Sequence, residues 1–569
     1  MSLKSLKSMA FFCVALGLAA FIGCTGGRQP VDQAQAPNVV YLNGTVITMD
    51  STESIAEAVA LKDGKIIDVG KTKDIKALAG KDTTVVDLDG KTLLPGFYDA
   101  HSHFPSIGIA TLYRVDLNSP PIGNIKDMDG IIAALKAKAE EMPEGEWIGG
   151  RGYDDTLIAE KRHPTRWDLD KASTKHPIWI SHISGHLGVA NSKALKMARV
   201  TKETPQPEGG VIRMDPETRE PNGVFEEGPA MSKVSRLIPA ITDEQWLEGL
   251  KYAVKDYAEE GVTTVVIAGG GKKSVERLMK ASEMGLLPLR VISMANRAFQ
   301  ESLPPDFNTD MLKVGAVKMY QDGSIQGYTG YLSKPYHVPF MGDESYLGYP
   351  IRSREKLTEM VKAAHKAGFQ VAIHGNGDAA IDDILYAFQE AQKEFPREDC
   401  RHRIEHCQMV REEQLDLIKE MGVTPSYFVS HTYYWGDRHR DIFMGPERAF
   451  RMSPLRSSLD RSIKFTIHCD TPVTPMDPLL AVWAGVNRIS TGGNIIGPEQ
   501  RVKPIEALRA VTSYAAWQNF EEDIKGSIEK GKFADFVILA DNPLEIDPVK
   551  IKDIEVLETI VGGKTVFKK

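Results

Sequence analysis

The chain has little cysteine for its length, five residues in 569, and Cys13 and Cys24 fall within its first 24 positions. Cys400, Cys407 and Cys469 remain, an odd number that supports no disulfide framework. Cys407 and Cys469 each neighbour a candidate ligand, and alternation along a strand turns both to the opposite face, behind the site. No Ser-His-Asp pattern surrounds a nucleophile elbow, and there is neither a phosphate loop nor a dinucleotide fingerprint. Gly269-Gly270-Gly271 reads as a tight turn between a strand and a helix. No excess of positive charge exists: the net charge is −8 and is spread along the chain, which argues against nucleic acid as a partner. Hydrophobic content of 42% and charged content of 26% are ordinary for a globular protein with ample core and two domains or more.

The exception to the even hydropathy is the amino terminus. Lys4 and Lys7 precede an apolar run over 9–22, followed by Gly23-Cys24, which reads as a secretory signal ending in a lipoprotein cleavage site. The expectation is a signal peptide over 1–24, lipidation at Cys24 and a flexible tether over 25–37. An uncleaved membrane anchor is the alternative. Either reading exports the protein and fixes it to the bacterial envelope, at the periplasmic face in a Gram-negative cell.

Most informative is Asp99-Ala100-His101-Ser102-His103 after the apolar run Thr92-Leu93-Leu94. On a strand, residues i and i+2 share a face, so two imidazoles one pleat apart can share a zinc-like ion. Further apolar runs end in Lys318, in His374, in His406 and in Asp470. Counting strand-like runs gives eight: the one into His101, then 263–268, 289–294, 314–320, 369–374, 403–406, 423–427 and 465–470. Helical patterns such as 245–260 and 355–367 separate several of them, the signature of a parallel α/β architecture. Eight such strands suggest a (β/α)8 TIM-like barrel over 95–519, with its chemistry at the carboxyl ends of the strands. Short strands with Asn-Gly and Asp-Gly turns over 38–94 and 520–569 together make a small β-sandwich from both termini. A long insertion after barrel strand 1, about 105–239, reads as a functional loop over the barrel mouth with one strand of its own, Ile178-Trp179-Ile180-Ser181-His182-Ile183.

The order of two His, one Lys, two His and one Asp resembles the ligand set of the amidohydrolase superfamily. The resemblance spans roughly residue 38 to the carboxyl terminus and is strongest to the amidohydrolase 3 branch, typified by N-substituted formamide deformylases. Gly152-Tyr153-Asp154-Asp155, Pro164-Thr165-Arg166-Trp167-Asp168, Asn191-Ser192-Lys193-Ala194-Leu195, Asp322-Gly323-Ser324 and Lys532-Phe533-Ala534-Asp535 carry it. His468-Cys469 stands where Gly-Ser is common in that family, and His468 shares the strand face of Asp470.

The resemblance implies that His101, His103 and Asp470 hold one divalent metal and that His374 and His406 hold a second. It further implies that Lys318, as a carbamate formed with carbon dioxide, bridges two zinc ions. The alternative for Lys318 is a salt bridge to Asp322 and a one-metal site. The implied reaction is hydrolysis of a non-peptide carbon–nitrogen bond by activated hydroxide, with Asp470 as general acid and base. His186 is a catalytic candidate, or a histidine that satisfies backbone groups within the insertion. Tyr153, Asp154, Gln326, His431 and Tyr434 are candidates for contacts to a small-molecule amide, each with a purely structural alternative. Rival readings are a mononuclear deaminase or cyclic-amide hydrolase, which the presence of Lys318 disfavours, and a silent binding lipoprotein. The oligomeric state is open, a homodimer among the options.

Overall fold

The protein is described by a computed structural model over residues 36–569. The predicted signal peptide, Cys24 and nearly all of the 25–37 tether lie outside the described residues.

Eight parallel strands form a nearly closed barrel, each hydrogen-bonded to the next in chain order. They are β1 (Phe97–Ser102), β2 (Val262–Ile267), β3 (Arg290–Ala295), β4 (Leu312–Tyr320), β5 (Val371–Gly375), β6 (Arg403–His406), β7 (Thr424–Tyr427) and β8 (Thr466–Ile467). The circle is drawn together where the Asp470 N–H donates to the His101 carbonyl (3.1 Å) and the Cys469 N–H to Asp99 Oδ1 (3.1 Å). The last strand is shorter than the predicted 465–470, and the chain turns just beyond it at Asp470, whose φ is +56°. Close approach also shapes the start of the barrel. A Cβ on Gly96 would lie 2.1 Å from Thr263 Cγ2, so only glycine lets β1 and β2 begin side by side.

Helices cover the barrel as the apolar spacing predicts. Asp243–Glu259 begins at a capping box: Thr242 Oγ1 accepts from the Gln245 N–H (3.2 Å), and Gln245 Oε1 accepts from the Thr242 N–H (3.0 Å). Its buried Trp246, Leu250, Ala253 and Tyr257 recur at helical spacing and join the main core. At the end of this helix Glu260 is unusual. Burial first, then the nearby charges of Asp477, Asp256 and Glu259, push its carboxyl from an ordinary 4.5 up to about 8. The folded state thus prefers the protonated acid, and the stability this group supplies is present below about pH 4.5 and lost as pH rises toward 8. Glu260→Gln is therefore expected to raise the melting temperature at pH 8 more than at pH 5, which parallel thermal melts check.

Two further sheets use both ends of the chain. One is ordered Lys65–Gly70, Ala58–Lys62, Val39–Leu42, Thr84–Asp87. The other runs Lys564–Lys568, Val556–Val561, Phe536–Leu539, Thr92–Pro95, Thr45–Ile47, Ile55–Ala56. Tyr41, Val59, Leu93, Phe536 and Ile560 form a shared core of these strands. Asp535 ties this unit to the barrel, accepting from Arg290 Nε (2.6 Å) and Nη2 (3.0 Å) and from the Gly562 N–H (2.7 Å).

The segment between β1 and β2 corrects the expectation of a long loop with one strand. It holds a six-stranded sheet, ordered Val211–Met214, Pro221–Glu226, Leu187–Ala190, Ile178–His182, Ile148–Tyr153, Val115–Asp116. Its own core includes Leu117, Ile131, Leu135, Ile148, Leu169, Ile180 and Val189. The strand Ile148–Tyr153 escapes detection because three of its six residues are glycine, which removes the apolar alternation that marks a strand. Two branch motifs prove to be helix caps here. Thr165 caps with Asp168, and Asn191 Oδ1 accepts from the Ala194 N–H (3.0 Å) and the Ile178 N–H (3.0 Å).

Candidate metal centre

Every proposed ligand lies at or just beyond the carboxyl end of a barrel strand. His101 and His103 come from β1, Lys318 from β4, His374 from β5 and His406 from β6, while Asp470 follows β8. His406 sits one residue after Glu405 and should face outward by alternation. It turns inward because His406 and Cys407 both adopt left-handed backbone, with φ of +67° and +46°.

Asp470 Oδ1 stands 3.5 Å from His101 Nε2 and 3.3 Å from His103 Nε2. One ligand atom from each of these three residues lies within 4.8 Å of the others, the spacing of donors around a single ion. Ring centroids of His101 and His406 are 4.9 Å apart, and those of His374 and His406 are 4.5 Å apart. Among the described residues Lys318 Nζ is buried with no hydrogen-bond partner, His374 Nδ1 lies 3.3 Å from Asp322 Oδ1, and Asp470 Oδ1 has only the two imidazoles beside it. A buried amine without a partner and a buried carboxylate between two imidazoles are expensive unless something else satisfies them, and a divalent metal with its oxygen ligands does so. The residues present thus fit a metal.

Electrostatics agree with this reading. Burial, reinforced by the neighbouring cations, holds His101, His374 and His406 well below the usual imidazole range, so they are the neutral rings that metals bind. Burial also lowers the Lys318 ammonium to about 8, against the opposing pull of Glu405 and Asp470. The salt bridge to Asp322 weighed for Lys318 does not form. Asp322 instead accepts from the backbone N–H groups of Asn376 (2.9 Å), Gly377 (2.8 Å) and Tyr331 (3.0 Å), fixing the turn beyond β5.

Two residues that sequence reasoning missed orient His101. Glu405 takes its Nδ1 in a short contact, leaving Nε2 for metal. Arg403 grips Glu405 from Nε (2.7 Å) and Nη2 (3.2 Å), and also donates to the Ala100 carbonyl (2.8 Å). The signal was available, since Arg403 and Glu405 are i and i+2 on a strand whose end carries a ligand. His468 does the same for His406: its Nε2 is 3.2 Å from His406 Nδ1, and its Nδ1 is 2.9 Å from Ser426 Oγ. With His406 donating through Nδ1 and His468 donating to Ser426, the His406 Nε2 lone pair is left free. Glu405→Gln weakens the anchor of His101 and is expected to lower metal affinity about 10- to 100-fold, read by competition with a chromophoric chelator.

Above this cluster opens a cavity of about 900 Å³. His101, His103, His186, His374, His406 and Asp470 line it, with Tyr320 at the side. His186 stands 4.9 Å ring to ring from His374, and its Nδ1 is 2.8 Å from Glu227 Oε2. Burial opposes its protonation, but the Glu227 charge and hydrogen bond prevail and raise it above the ordinary value. It faces the cavity rather than only the backbone of the insertion.

The five substrate-contact candidates are not brought to this cavity. Tyr153 is fully buried in the insertion's core, its hydroxyl 3.2 Å from His163 Nδ1. Asp154 accepts from Trp435 Nε1 (3.0 Å) and Arg438 Nη1 (2.8 Å), which pins the insertion onto the segment after β7. Gln326 is buried in the short turn Ile325–Gly327. His431 packs on Phe428 (4.3 Å) and Trp435 (5.4 Å), and Tyr434 on Tyr433 (4.9 Å). Position near a strand end does not fix which way a side chain turns. These polar and aromatic groups join layers instead.

Comparison with known proteins agrees with this geometry. The family model described as "Amidohydrolase family" matches residues 84–567. The chain is 28% identical over 543 residues to the N-substituted formamide deformylase of Arthrobacter pascens, covering 93% of this chain and 98% of that one. It is 30% identical over 548 residues to the protein LONG AFTER FAR-RED 3 of Arabidopsis thaliana, covering 93% and 91%. Among solved structures, an uncharacterized metal-dependent hydrolase from Pyrococcus horikoshii OT3 superposes with a TM-score of 0.71 at 27% identity, covering 90% and 99%.

Proposed function

Given that this chain belongs to the amidohydrolase family and is a metal-dependent hydrolase, we propose that it cleaves a non-peptide carbon–nitrogen bond in a small N-substituted amide or formamide. The observation that carries the reading is the cluster of His101, His103 and Asp470 on the cavity wall, its donor atoms within 4.8 Å of one another, beside a buried Lys318 Nζ that has no hydrogen-bond partner among the described residues. The formamide deformylase among its relatives supports the choice of bond. His101, His103 and Asp470 would hold one ion, His374 and His406 a second, and Lys318, carboxylated, would join them. Divalent ions held there, zinc by the donor set, supply Lewis acidity toward the acyl oxygen and lower the pKa of water.

The chain's own groups do the rest. Asp470, beside both β1 histidines, accepts the proton of the attacking water and returns it to the departing nitrogen. His186, charged through Glu227 and set against His374, donates a hydrogen bond to the acyl oxygen as negative charge develops there. The insertion roofs the cavity and limits water at the reacting centre. The reading is tested by supplying the purified full chain with zinc and bicarbonate and measuring amine release from a panel of N-substituted formamides and amides. Release that a chelator stops is the expected result, and no release from any member contradicts the reading. The lipid tether through Cys24 belongs to the same proposal, and mass spectrometry of the mature amino terminus checks it.

A further inference from the structure

We propose that the preferred substrates carry a carboxylate close to the scissile amide, as N-acyl amino acids do, and that Arg151 and Arg114 are the residues that bind it. The proposal rests on the amide-hydrolase reading above and narrows it to one class of substrate.

Both arginines line the same cavity as the candidate metal ligands. Arg151 lies on the insertion strand Ile148–Tyr153, and its Nη2 donates to the Pro472 carbonyl, two residues beyond Asp470. That bond ties the guanidinium to the backbone just beyond Asp470. It leaves most of the five-donor fork without an acceptor among the described residues. Arg114 precedes the neighbouring strand Val115–Asp116, which pairs with Gly150 and Arg151. A Cβ on Gly149 would lie 2.0 Å from Arg114 Nη1, so the glycine is what lets this guanidinium lie against the strand beside Arg151.

Neither arginine is in an ion pair among the described residues; the fully buried Arg488 is unpaired too, but it donates to the carbonyls of Ile496, Ser453 and Met452. Arg213 is paired with Glu226, Arg290 with Asp535 and Arg403 with Glu405. Asp116 and Asp470 are the carboxylates whose field reaches Arg151, and neither is within ion-pair distance. Burial lowers Arg151 only to about 10, so it stays charged at neutral pH. Two permanent cations half-sheltered in a cavity wall, with planar donor forks and no carboxylate of their own, form a seat for a carboxylate. Phe104, Ile241 and Trp246 supply an apolar wall in the same cavity for the substrate's side chain.

The test uses the zinc-loaded full chain and a matched pair of compounds, N-acetylphenylalanine and N-acetylphenethylamine, which differ only by the carboxylate. The parent protein is expected to favour the acid, and the ratio of kcat/KM for acid over neutral compound to fall about 30-fold in Arg151→Met and about 10-fold in Arg114→Met. Because Arg151 also holds the turn beside Asp470, Arg114→Met is the variant that isolates charge recognition, and Arg151→Lys should recover part of the preference. An unchanged ratio in both methionine variants, or a parent that favours the neutral compound, overturns the proposal. If neither compound is hydrolysed, isothermal titration calorimetry reads binding directly. Tighter binding of the acid that is lost in both variants then upholds the carboxylate seat while the amide-hydrolase reading falls, and equal binding of the two compounds sinks the seat as well.

Discussion

Asp470→Asn is expected to lower kcat/KM on any accepted amide by about three orders of magnitude, the combined effect of losing a general base and a charged metal ligand. The asparagine amide accepts no proton in this pH range. It also offers no anionic oxygen to the two β1 histidines, whose Nε2 atoms lie 3.5 and 3.3 Å from Asp470 Oδ1. The fold should survive, because the bond that closes the barrel here comes from the Asp470 backbone N–H to the His101 carbonyl (3.1 Å) and is untouched by the substitution. Far-ultraviolet circular dichroism should therefore match the parent while turnover collapses. Retention of a tenth of the parent activity would show that another group moves the proton.

The second large effect has two parts of opposite sign. Lys318→Met is expected to reduce bound metal by about one ion per chain and turnover by about three orders of magnitude, since its carboxylated amine is proposed to join the two ions. The same change should stabilise the metal-free protein. Lys318 Nζ is buried without a hydrogen-bond partner, and an unsatisfied buried polar group costs about 1–3 kcal/mol, more when charged. Methionine fills the same space without that penalty. A lysine whose role was a structural ion pair would behave the other way, losing stability and leaving metal binding intact. Thermal melts of the chelator-treated variant and elemental analysis of the loaded one separate the two cases.

Much of the barrel was legible because its strands are short apolar runs, several of which end in a residue with chemistry. The runs into His101, Lys318, His374 and His406 coincide with β1, β4, β5 and β6. What stayed hidden depends on orientation or on glycine. Alternation would turn His406 away from the barrel, and only the left-handed backbone at 406 and 407 brings it in. Glu405 and Arg403 were readable from period two but were masked by the histidine beside them. The insertion's sheet was missed because Gly149, Gly150 and Gly152 erase the pattern of a strand while making room for Arg114, Leu117 and Asn118. The substrate-contact candidates failed to reach the cavity for a related reason. Asp154, Trp435 and Arg438 form a buried polar junction between insertion and barrel, and sequence position alone does not distinguish such a joint from a binding wall.

The central claim is tested most directly by titrating zinc, with bicarbonate present, into chelator-treated full chain and following amine release against metal equivalents. The account predicts negligible turnover without metal and a rise that levels off at about two ions per chain. Undiminished hydrolysis by the metal-free protein would contradict it.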